Sequence, residues 1–444
     1  MTSTGTDQPR PLPDDARPPA VGAPLGELYR HLHRHPELSF HEDATAAIVA
    51  AELTALGFDL HTGVGGTGVV GVLRRGDGPT VLLRADMDGL PVAEATGLDY
   101  ASTARGTDPD GRDVPVMHAC GHDVHVTCLV GAARRLATGD TWSGTLEVLF
   151  QPAEELGAGA RALVADGLFD RIPPPDVVLG QHVAPFPAGF VALQSGPAFA
   201  AQDGIRITFH GRGGHGSRPD TTVDPIVMAA AAVLRVQTIV SRETAAADRL
   251  VITVGSIHAG TKNNVIPDTA EILISMRSFD EHVRERALAA VTRIAEGEAA
   301  AAGAPQPPTV EHYESFPAVV NDPSAADRTR ASLVRRFGEQ QVISPGPVTG
   351  SEDIGILATA AGAPCSFWLL GGADPASFAE AASPADLARI VGRLPSNHSP
   401  LYAPVVEPTL TNGMDALVAA AHEWLLDPGA PGARVHGQED ASFL

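Results

Sequence analysis

Between residues 25 and 196, longer segments with apolar residues at helical spacing alternate with short continuous apolar runs. Apolar positions at helical spacing predict helices over 25–34, 43–56 and 123–137. Shorter apolar runs predict buried strands over 68–74, 80–84, 145–150 and 177–179. Strands that alternate with helices form a mostly parallel sheet with helices on both faces. The fold class predicted for this region is therefore α/β.

The pattern changes near Gly196. The next elements are predicted in the order strand, helix, strand, strand, helix, strand, and they cover 204–209, 224–242, 250–257, 270–279, 280–302 and 309–313. This βαββαβ order is that of a ferredoxin-like domain. After residue 314 the first pattern resumes, with a helix predicted from Glu352 behind an N-cap at Ser351 and a strand over 366–370. The second domain is therefore predicted to be an insertion in the first.

These patterns divide the chain, which at 444 residues is long enough for two domains. Residues 1–24 are polar and rich in proline, which predicts a disordered leader and not a signal peptide. A loose tail is predicted over residues 429–444. The predicted parts between them are 25–196 and 312–428 for the first domain and 197–311 for the insertion.

The net charge and the cysteines narrow the function classes. A net charge of −22 argues against binding to nucleic acid or to an anionic membrane, because both need a basic surface. No apolar run approaches the roughly 20 residues that a membrane-spanning helix needs. The three cysteines are too few for a disulfide-stapled secreted fold and favour a reducing compartment. A cytoplasmic location is predicted.

Candidate chemistry lies where predicted strands end. Asp86 and Asp88 follow one strand, Glu154 and Glu155 follow the next, and His182 follows a third. Ligands bind at the carboxyl ends of parallel strands, so these side chains are expected to share one rim of the sheet. Successive side chains of an extended backbone point in opposite directions. One glutamate could then bind metal while the other acts as a general base, although both could also be solvated loop acids.

A segment rich in histidine, residues 117–125, contains Cys120 and His122 on either side of Gly121. Thiolate and imidazole are ligands that suit Zn²⁺ and related ions. Gly121 permits the backbone bend that would let both converge, and the following helix would favour a thiolate at Cys120 through its N-terminal dipole. A Cys-His protease and a structural cysteine are the alternatives. The remaining cysteines, Cys128 and Cys365, have apolar neighbours and are predicted to be core residues.

Several segments together resemble the family of aminoacylases, hippurate hydrolases and auxin-conjugate hydrolases. They match in order over about residues 25–425, and they are 33–39, 85–91, 118–125, 151–155, 211–219, 264–267, 350–353 and 397–399. The resemblance implies a catalytic domain with an inserted lid domain that serves dimerisation, and a homodimer or homotetramer. It also implies an amidohydrolase that uses two divalent metal ions, chosen from Zn, Mn, Co and Ni.

The resemblance further implies a role for individual residues. Cys120 would bridge the two metals, with His122 and His182 on one and Glu155 and His398 on the other. Glu154 would be the general base. In the lid, His215 would stabilise the oxyanion, within its own subunit or in a neighbour's site, and Asn264 and Arg277 would bind substrate, although Asn264 could be a turn residue and Arg277 a surface charge on a strand edge. Asp86 and Asp88 would contact the ligand side chains and not the metals.

Two positions depart from the family pattern. Asp220 stands where many relatives have histidine, and Ile354 stands where an aromatic residue is common. Both were expected near the substrate. The predicted function is hydrolysis of an N-acyl amino acid or a related small amide; a dipeptidase or carboxypeptidase on the same scaffold is the alternative, and a non-catalytic metal-binding homologue is a third, which an intact Glu154 disfavours.

Overall fold

A computed structural model describes residues 17–139 and 141–425. Most of the predicted leader and the whole predicted tail lie outside these residues. The helices are α1 (Leu25–Arg34), α2 (Asp43–Ala55), α3 (His122–Thr138), α4 (Gly159–Ala165), α5 (Leu168–Arg171), α6 (Pro225–Thr238), α7 (Glu281–Ala301), α8 (Pro323–Phe337), α9 (Ile354–Ala361), α10 (Pro384–Val391) and α11 (Thr409–Trp424).

The strands of the described residues form two main sheets. They are β1 (Asp59–Val64), β2 (Gly68–Arg75), β3 (Thr80–Asp86), β4 (Arg105–Thr107), β5 (Asp113–Pro115), β6 (Gly144–Gln151), β7 (Val177–Pro187), β8 (Val191–Ala192), β9 (Gly196–Phe199), β10 (Ala201–His210), β11 (Gly214–His215), β12 (Leu250–Ala259), β13 (Val265–Ile266), β14 (Thr269–Ser278), β15 (Thr309–Phe316), β16 (Val319–Asn321), β17 (Val342–Ile343) and β18 (Cys365–Ala373).

The larger sheet has the order β1-β2-β6-β3-β7-β18-β8-β17. Its centre, β6-β3-β7-β18, is parallel, and the strand pairs β1/β2, β2/β6 and β18/β8 are antiparallel. Alternate side chains of β3 enter different cores, since Leu83 packs with α3 and α11 whereas Leu82 packs with α4 and α9. This alternation requires helices on both faces, which confirms the predicted α/β class.

The second sheet, which we call the inserted sheet, has the order β12-β14-β10-β15 and is antiparallel. Helices α6 and α7 pack on it, with Met228, Val236 and Val291 in the shared core. In chain order this is the predicted βαββαβ arrangement. The last strand runs to Phe316, past the predicted limit at residue 311. The exact division of the chain into domains stays a prediction.

Helix α6 with the turn after it, Pro225–Glu243, is long and apolar enough to span a membrane by length and composition. One such helix is weak evidence for a membrane span, because a core helix of a folded domain passes the same test. One face of α6 packs on the inserted sheet through Met228 and Val236. Its other face is exposed, with Val227 at 62% and Leu234 at 74%.

Two element boundaries differ from prediction in ways that matter for the site. Strand β7 continues to Pro187 because it pairs with β18 along its length, so His182 lies within the strand and not after it. Helix α9 begins at Ile354 behind Asp353, and Ser351 does not cap it. Glu352 and Asp353 therefore lie before the helix, where both ion-pair with Arg84.

Candidate metal centre

The bend at Cys120 and His122 depends on Gly121. Gly121 has a φ of 85°, and a Cβ at this position would lie 2.5 Å from Val183 Cγ1. A left-handed backbone in so tight a space requires glycine. The bend lets α3 begin at His122 while Cys120 faces β7, where its Sγ lies 3.4 Å from His182 Nε2.

Hydrogen bonds orient the imidazoles of His182 and His122. His182 Nδ1 donates to the carbonyl of Val183 at 2.8 Å, which leaves the lone pair on Nε2, the atom that faces Cys120. His122 Nδ1 lies 3.2 Å from Asp88 Oδ1, while His122 Nε2 is buried without a hydrogen-bond partner in the described chain. One ring nitrogen of His122 thus bonds a carboxylate, and the other is buried without a partner in the described chain. This arrangement is the one expected of a metal ligand.

His398 reaches the same place from a loop. Its backbone N–H donates to Ala119 at 2.8 Å, and the neighbouring Asn397 side chain donates to the carbonyls of Cys120 and Val183 at 3.0 and 3.1 Å. His398 Nε2 then lies 3.3 Å from Glu155 Oε2.

Glu154 and Glu155 lie in a turn, so the expectation of an extended backbone was wrong. Ala153, just before them, has a φ of 47°, and the Gly157 N–H donates back to the Glu154 carbonyl at 2.7 Å. Asp88 accepts the backbone N–H groups of Glu154 and Glu155 at 3.2 and 3.1 Å. The turn directs both side chains to His122 Nε2, at 4.0 Å for Glu154 and 3.7 Å for Glu155.

The five predicted ligands form two donor groups that share one atom. Cys120, His122 and His182 make one group, and Cys120, Glu155 and His398 make the other, with the ligand atoms of each group within 4.8 Å of one another. Glu155 Oε1, like His122 Nε2, is buried without a hydrogen-bond partner in the described chain. Thiol, imidazole and carboxylate donors fit transition-metal or zinc ions, which these two groups of residues would hold.

The electrostatics of the protein alone oppose a thiolate here. Burial raises the pKa of Cys120 well above its usual value, and the charges of Glu155, Glu154 and Asp86 add to the rise. The helix-dipole effect expected from the sequence is therefore outweighed. Burial lowers the pKa of His122, but Asp86, Asp88 and Glu155 raise it to about 10. A site this rich in negative charge favours cations, and bound cations would favour the thiolate.

Glu154 lies against a second set of buried charges. Arg84 donates to Asp86 at 2.7 Å, to Gln151 at 2.9 Å and to Asp353 at 2.9 Å, and its Nη2 pairs with Glu352 at 2.8 Å. Burial raises the pKa of Glu154 well above its usual value, with further increases from the charges of Glu352, Glu155, Asp353 and Asp86. A carboxylate with a raised pKa holds a proton more strongly, as a general base must.

The ligands open into a cleft of about 600 Å³ between the two sheets. Arg277 of β14 contributes to its wall, and its Nη1 donates to the Thr349 carbonyl at 3.0 Å and to Ser351 Oγ at 2.6 Å. Arg277 is thus half-buried on an interior strand and is not a surface charge at a strand edge. No motif predicted the other wall residues, among them Phe199, Gln202, Glu314, Phe316, Val348 and Leu369.

Other predicted substrate residues lie outside this cleft. His215 of β11 and Asn264, just before β13, are exposed where these two strands pair, and the Gly216 N–H donates to the Asn264 carbonyl at 2.8 Å. Asp220 is exposed beside Arg218, and Ile354 is a fully buried core residue. Neither residue lines the cleft of its own subunit, and the expectation that both lie near the substrate stays a prediction. Cys128 and Cys365 are buried core residues, as predicted.

Comparison with known proteins identifies the family. Residues 82–394 match Peptidase family M20/M25/M40. The chain belongs to this family. It is 38% identical to hippurate hydrolase of Campylobacter jejuni, over 74% of this chain and 84% of the relative. It is also 38% identical to thermostable carboxypeptidase 1 of Saccharolobus solfataricus, over 74% of this chain and 81% of the relative.

A solved structure has the same fold. It is a dinuclear metal-binding peptidase of the M20 family from Bacillus subtilis, with a TM-score of 0.69 and 28% identity over 89% of this chain and 97% of that one. The resemblance identified in the sequence is thereby confirmed, and with it the assignment of the chain as a hydrolase with two divalent metals.

Proposed function

We propose that this enzyme hydrolyses the amide bond of an N-acyl amino acid or a related small amide. The observation that carries the proposal is the pair of donor groups sharing Cys120, with Glu154 beside them on the wall of one cleft. A pair of divalent ions, Zn, Mn, Co or Ni, would polarise the amide carbonyl and lower the pKa of the attacking water.

Glu154 would move the proton. Glu154 lines the cleft and is 5% exposed, so it can reach substrate while remaining poorly solvated. In the proposed reaction, Glu154 accepts the proton of the attacking water and then delivers it to the leaving nitrogen. Glu155 Oε2 lies 3.3 Å from Nε2 of His398, another proposed ligand. This proximity supports a ligand role for Glu155 and a base role for Glu154.

The cleft wall supports a substrate with an apolar acyl group and a carboxylate. Arg277 offers a guanidinium for the carboxylate, and Phe199, Phe316 and Leu369 offer apolar surface for the acyl group. Hippurate hydrolase, one of the relatives, is named for a substrate that combines both features. Glu314, on the same wall, would disfavour an additional negative charge on the substrate.

The experiment is a substrate panel with metal depletion. The purified protein is expected to release free amino acid from N-acyl amino acids, to lose this activity after chelation, and to recover it with Zn²⁺, Mn²⁺, Co²⁺ or Ni²⁺. Undiminished turnover in metal-free protein would exclude the mechanism. Activity confined to unblocked peptides would instead support the carboxypeptidase or dipeptidase alternative, for which the name of the carboxypeptidase relative is weak support.

We also propose that the inserted sheet acts as a lid and that it contacts a second copy of the chain. Val227 and Leu234 on α6 and Ile257 on β12 are exposed on the helix side of the inserted sheet and form an apolar surface that fits a second copy of the chain. Such a homodimer, or a homotetramer built from it, would allow His215 and Asn264 to act in the partner's cleft.

The three cysteines are free and buried, which supports a reducing, cytoplasmic location.

A further inference from the structure

The backbone just before Glu154 is held in an unfavourable conformation. Ala153 has a φ of 47°, and in the described chain the other non-glycine residues with positive φ are Phe40 and His398. The left-handed region is disfavoured for a residue with a Cβ atom. The surrounding structure must therefore stabilise Ala153, since the conformation persists at a fully buried position.

Glu42, at the start of α2, supplies this stabilisation. Its Oε1 accepts the Ala153 N–H at 2.9 Å and the Phe40 N–H at 3.0 Å. Its Oε2 accepts the hydroxyl of Thr67. Glu42 is itself fully buried. One carboxylate oxygen thus bonds the backbone of two of the left-handed residues and ties distant parts of the chain together.

Asp88 completes the arrangement on the other side of the turn. It accepts the N–H groups of Glu154 and Glu155, while Glu42 accepts that of Ala153. Two buried carboxylates therefore hold three successive backbone N–H groups. Asp88 also bonds His122, whereas the hydrogen bonds of Glu42 go to Phe40, Thr67 and Ala153. The hydrogen bond from Ala153 therefore links Glu42 to the metal centre through the backbone of the turn.

We propose that Glu42 is a positioning residue that holds the Ala153 turn in its left-handed form and so places Glu154 and Glu155 for their roles. The inference rests on the proposed function, since it gives these two glutamates the roles of base and ligand. It predicts that the hydrogen-bond acceptor at residue 42 matters more than its charge. Glutamine keeps a side-chain oxygen that can accept from Ala153 and Phe40, whereas leucine fills similar space without one.

Three variants test the proposal. Glu42→Leu is expected to lower kcat/KM roughly 100-fold, because small misplacements of reacting groups have effects of this size. Glu42→Gln is expected to keep most of the activity. Adding Ala153→Gly to Glu42→Leu is expected to recover roughly tenfold, because glycine adopts positive φ without the Cβ penalty. A general loss of stability would not be corrected by that second substitution.

Glu52→Leu is the matched control. Glu52 is also a buried glutamate of α2, but it pairs with Arg134 at 2.7 Å and lies away from the turn. It is expected to lose stability while keeping kcat/KM per folded molecule. Hydrogen exchange of metal-free protein, followed by mass spectrometry, is expected to accelerate over residues 151–158 in Glu42→Leu and not in Glu52→Leu.

The exchange measurement does not depend on the substrate. If the protein hydrolysed no N-acyl amino acid, the proposed function would fail while the exchange result would still report on the turn. Unchanged exchange over residues 151–158 in Glu42→Leu would overturn the positioning role. So would a Glu42→Leu, Ala153→Gly double variant no more active than Glu42→Leu alone.

Discussion

His122 Nδ1 lies 3.2 Å from Asp88 Oδ1, and the same carboxylate accepts the backbone N–H groups of Glu154 and Glu155. Asp88 therefore orients a proposed ligand on α3 and the turn after β6 at once. Burial raises the pKa of Asp88, but the hydrogen bond and charge of His122 and the hydrogen bond from Ser39 lower it below its usual value. The side chain is thus anionic where a positive centre is proposed.

Replacing Asp88 with alanine is expected to weaken metal binding. Loss of a carboxylate behind a ligating histidine typically lowers metal affinity by about 10–100-fold. Competition between the protein and a chelator of known affinity measures the change. Asp113→Ala is the control, because Asp113 is exposed and pairs with Arg105. Equal affinities for the Asp88 and Asp113 variants would contradict this account of the site.

The two adjacent glutamates are expected to differ when each is changed to glutamine. Glu154→Gln should keep both metals and lose roughly 10²–10⁴-fold in kcat, the usual range for a general base. Glu155→Gln should lose metal first, because Glu155 belongs to the donor group with Cys120 and His398. Metal content per subunit, measured by mass spectrometry of the element, separates the two effects. The reverse result would exchange the roles.

Strand ends and the segment 117–125 predicted most of the ligand candidates, and the family resemblance added His398. Cys120, His122, Glu155, His182 and His398 are all drawn together by the fold, as expected from the sequence. The Ala153 turn was not predictable, because nothing in the segment 151–155 shows that a distant carboxylate would stabilise positive φ at an alanine. Glu42 was missed for the same reason: a glutamate at a helix start is most often a solvated residue that favours the helix dipole.

The fold was predictable where hydrophobic periodicity was strong. Helix α1 has the predicted bounds, and the centre of the large sheet contains the predicted strands. Strand β7 was predicted too short because its second half contains Pro185 and Pro187, which are uncommon within strands, and it is stabilised by pairing with β18. The cleft required tertiary information, since Arg277 meets Thr349 and Ser351 only after the two sheets pack together.

Arg84 is expected to be important for stability. It is buried and pairs with Asp86, Glu352 and Asp353. Arg84→Met would leave three buried carboxylates without their cation, a change that costs about 3–5 kcal/mol in comparable cases. Arg105→Met removes an exposed pair with Asp113 and is expected to cost about 0–1 kcal/mol. Urea unfolding of the metal-free variants measures both; similar losses would argue against the importance of the buried network.

His33 is expected to make stability depend on pH. It lies between Asp123 at 2.6 Å and Glu94 at 3.1 Å; burial lowers its pKa, but these two carboxylates raise it to about 9 from an ordinary value of 6.5. Protonated His33 therefore stabilises the fold by about 3 kcal/mol below pH 6.5, and this contribution disappears as the pH rises through 9.

The pH effect is measured as a difference between proteins. The free energy of unfolding of the unmodified protein minus that of His33→Asn should be largest near pH 6 and should shrink towards pH 9.5. Other buried groups titrate in both proteins and largely cancel. His282→Asn, a change at an exposed histidine of α7, is the control. A difference that stays constant over this range would contradict a raised pKa at His33.

Action of His215 in a partner's cleft can be tested by mixing inactive variants. His215 is exposed and lies outside the cleft of its own subunit, so His215→Ala should impair the partner's site. Glu154→Gln should impair its own. A mixed dimer would contain one cleft with an intact Glu154 and an intact partner His215. Subunit exchange between the two variants is therefore expected to restore part of the activity.

The same test depends on the exposed apolar surface of α6. Leu234→Glu places a charge at a residue that is 74% exposed in the single chain and is proposed to be buried in the dimer. It should shift sedimentation towards monomer and abolish restoration on mixing, whereas Val21→Glu, at a residue 51% exposed before α1, should do neither. Restoration that survived Leu234→Glu would place the dimer contact elsewhere. No restoration by mixing in a confirmed dimer would mean that His215 does not act across subunits.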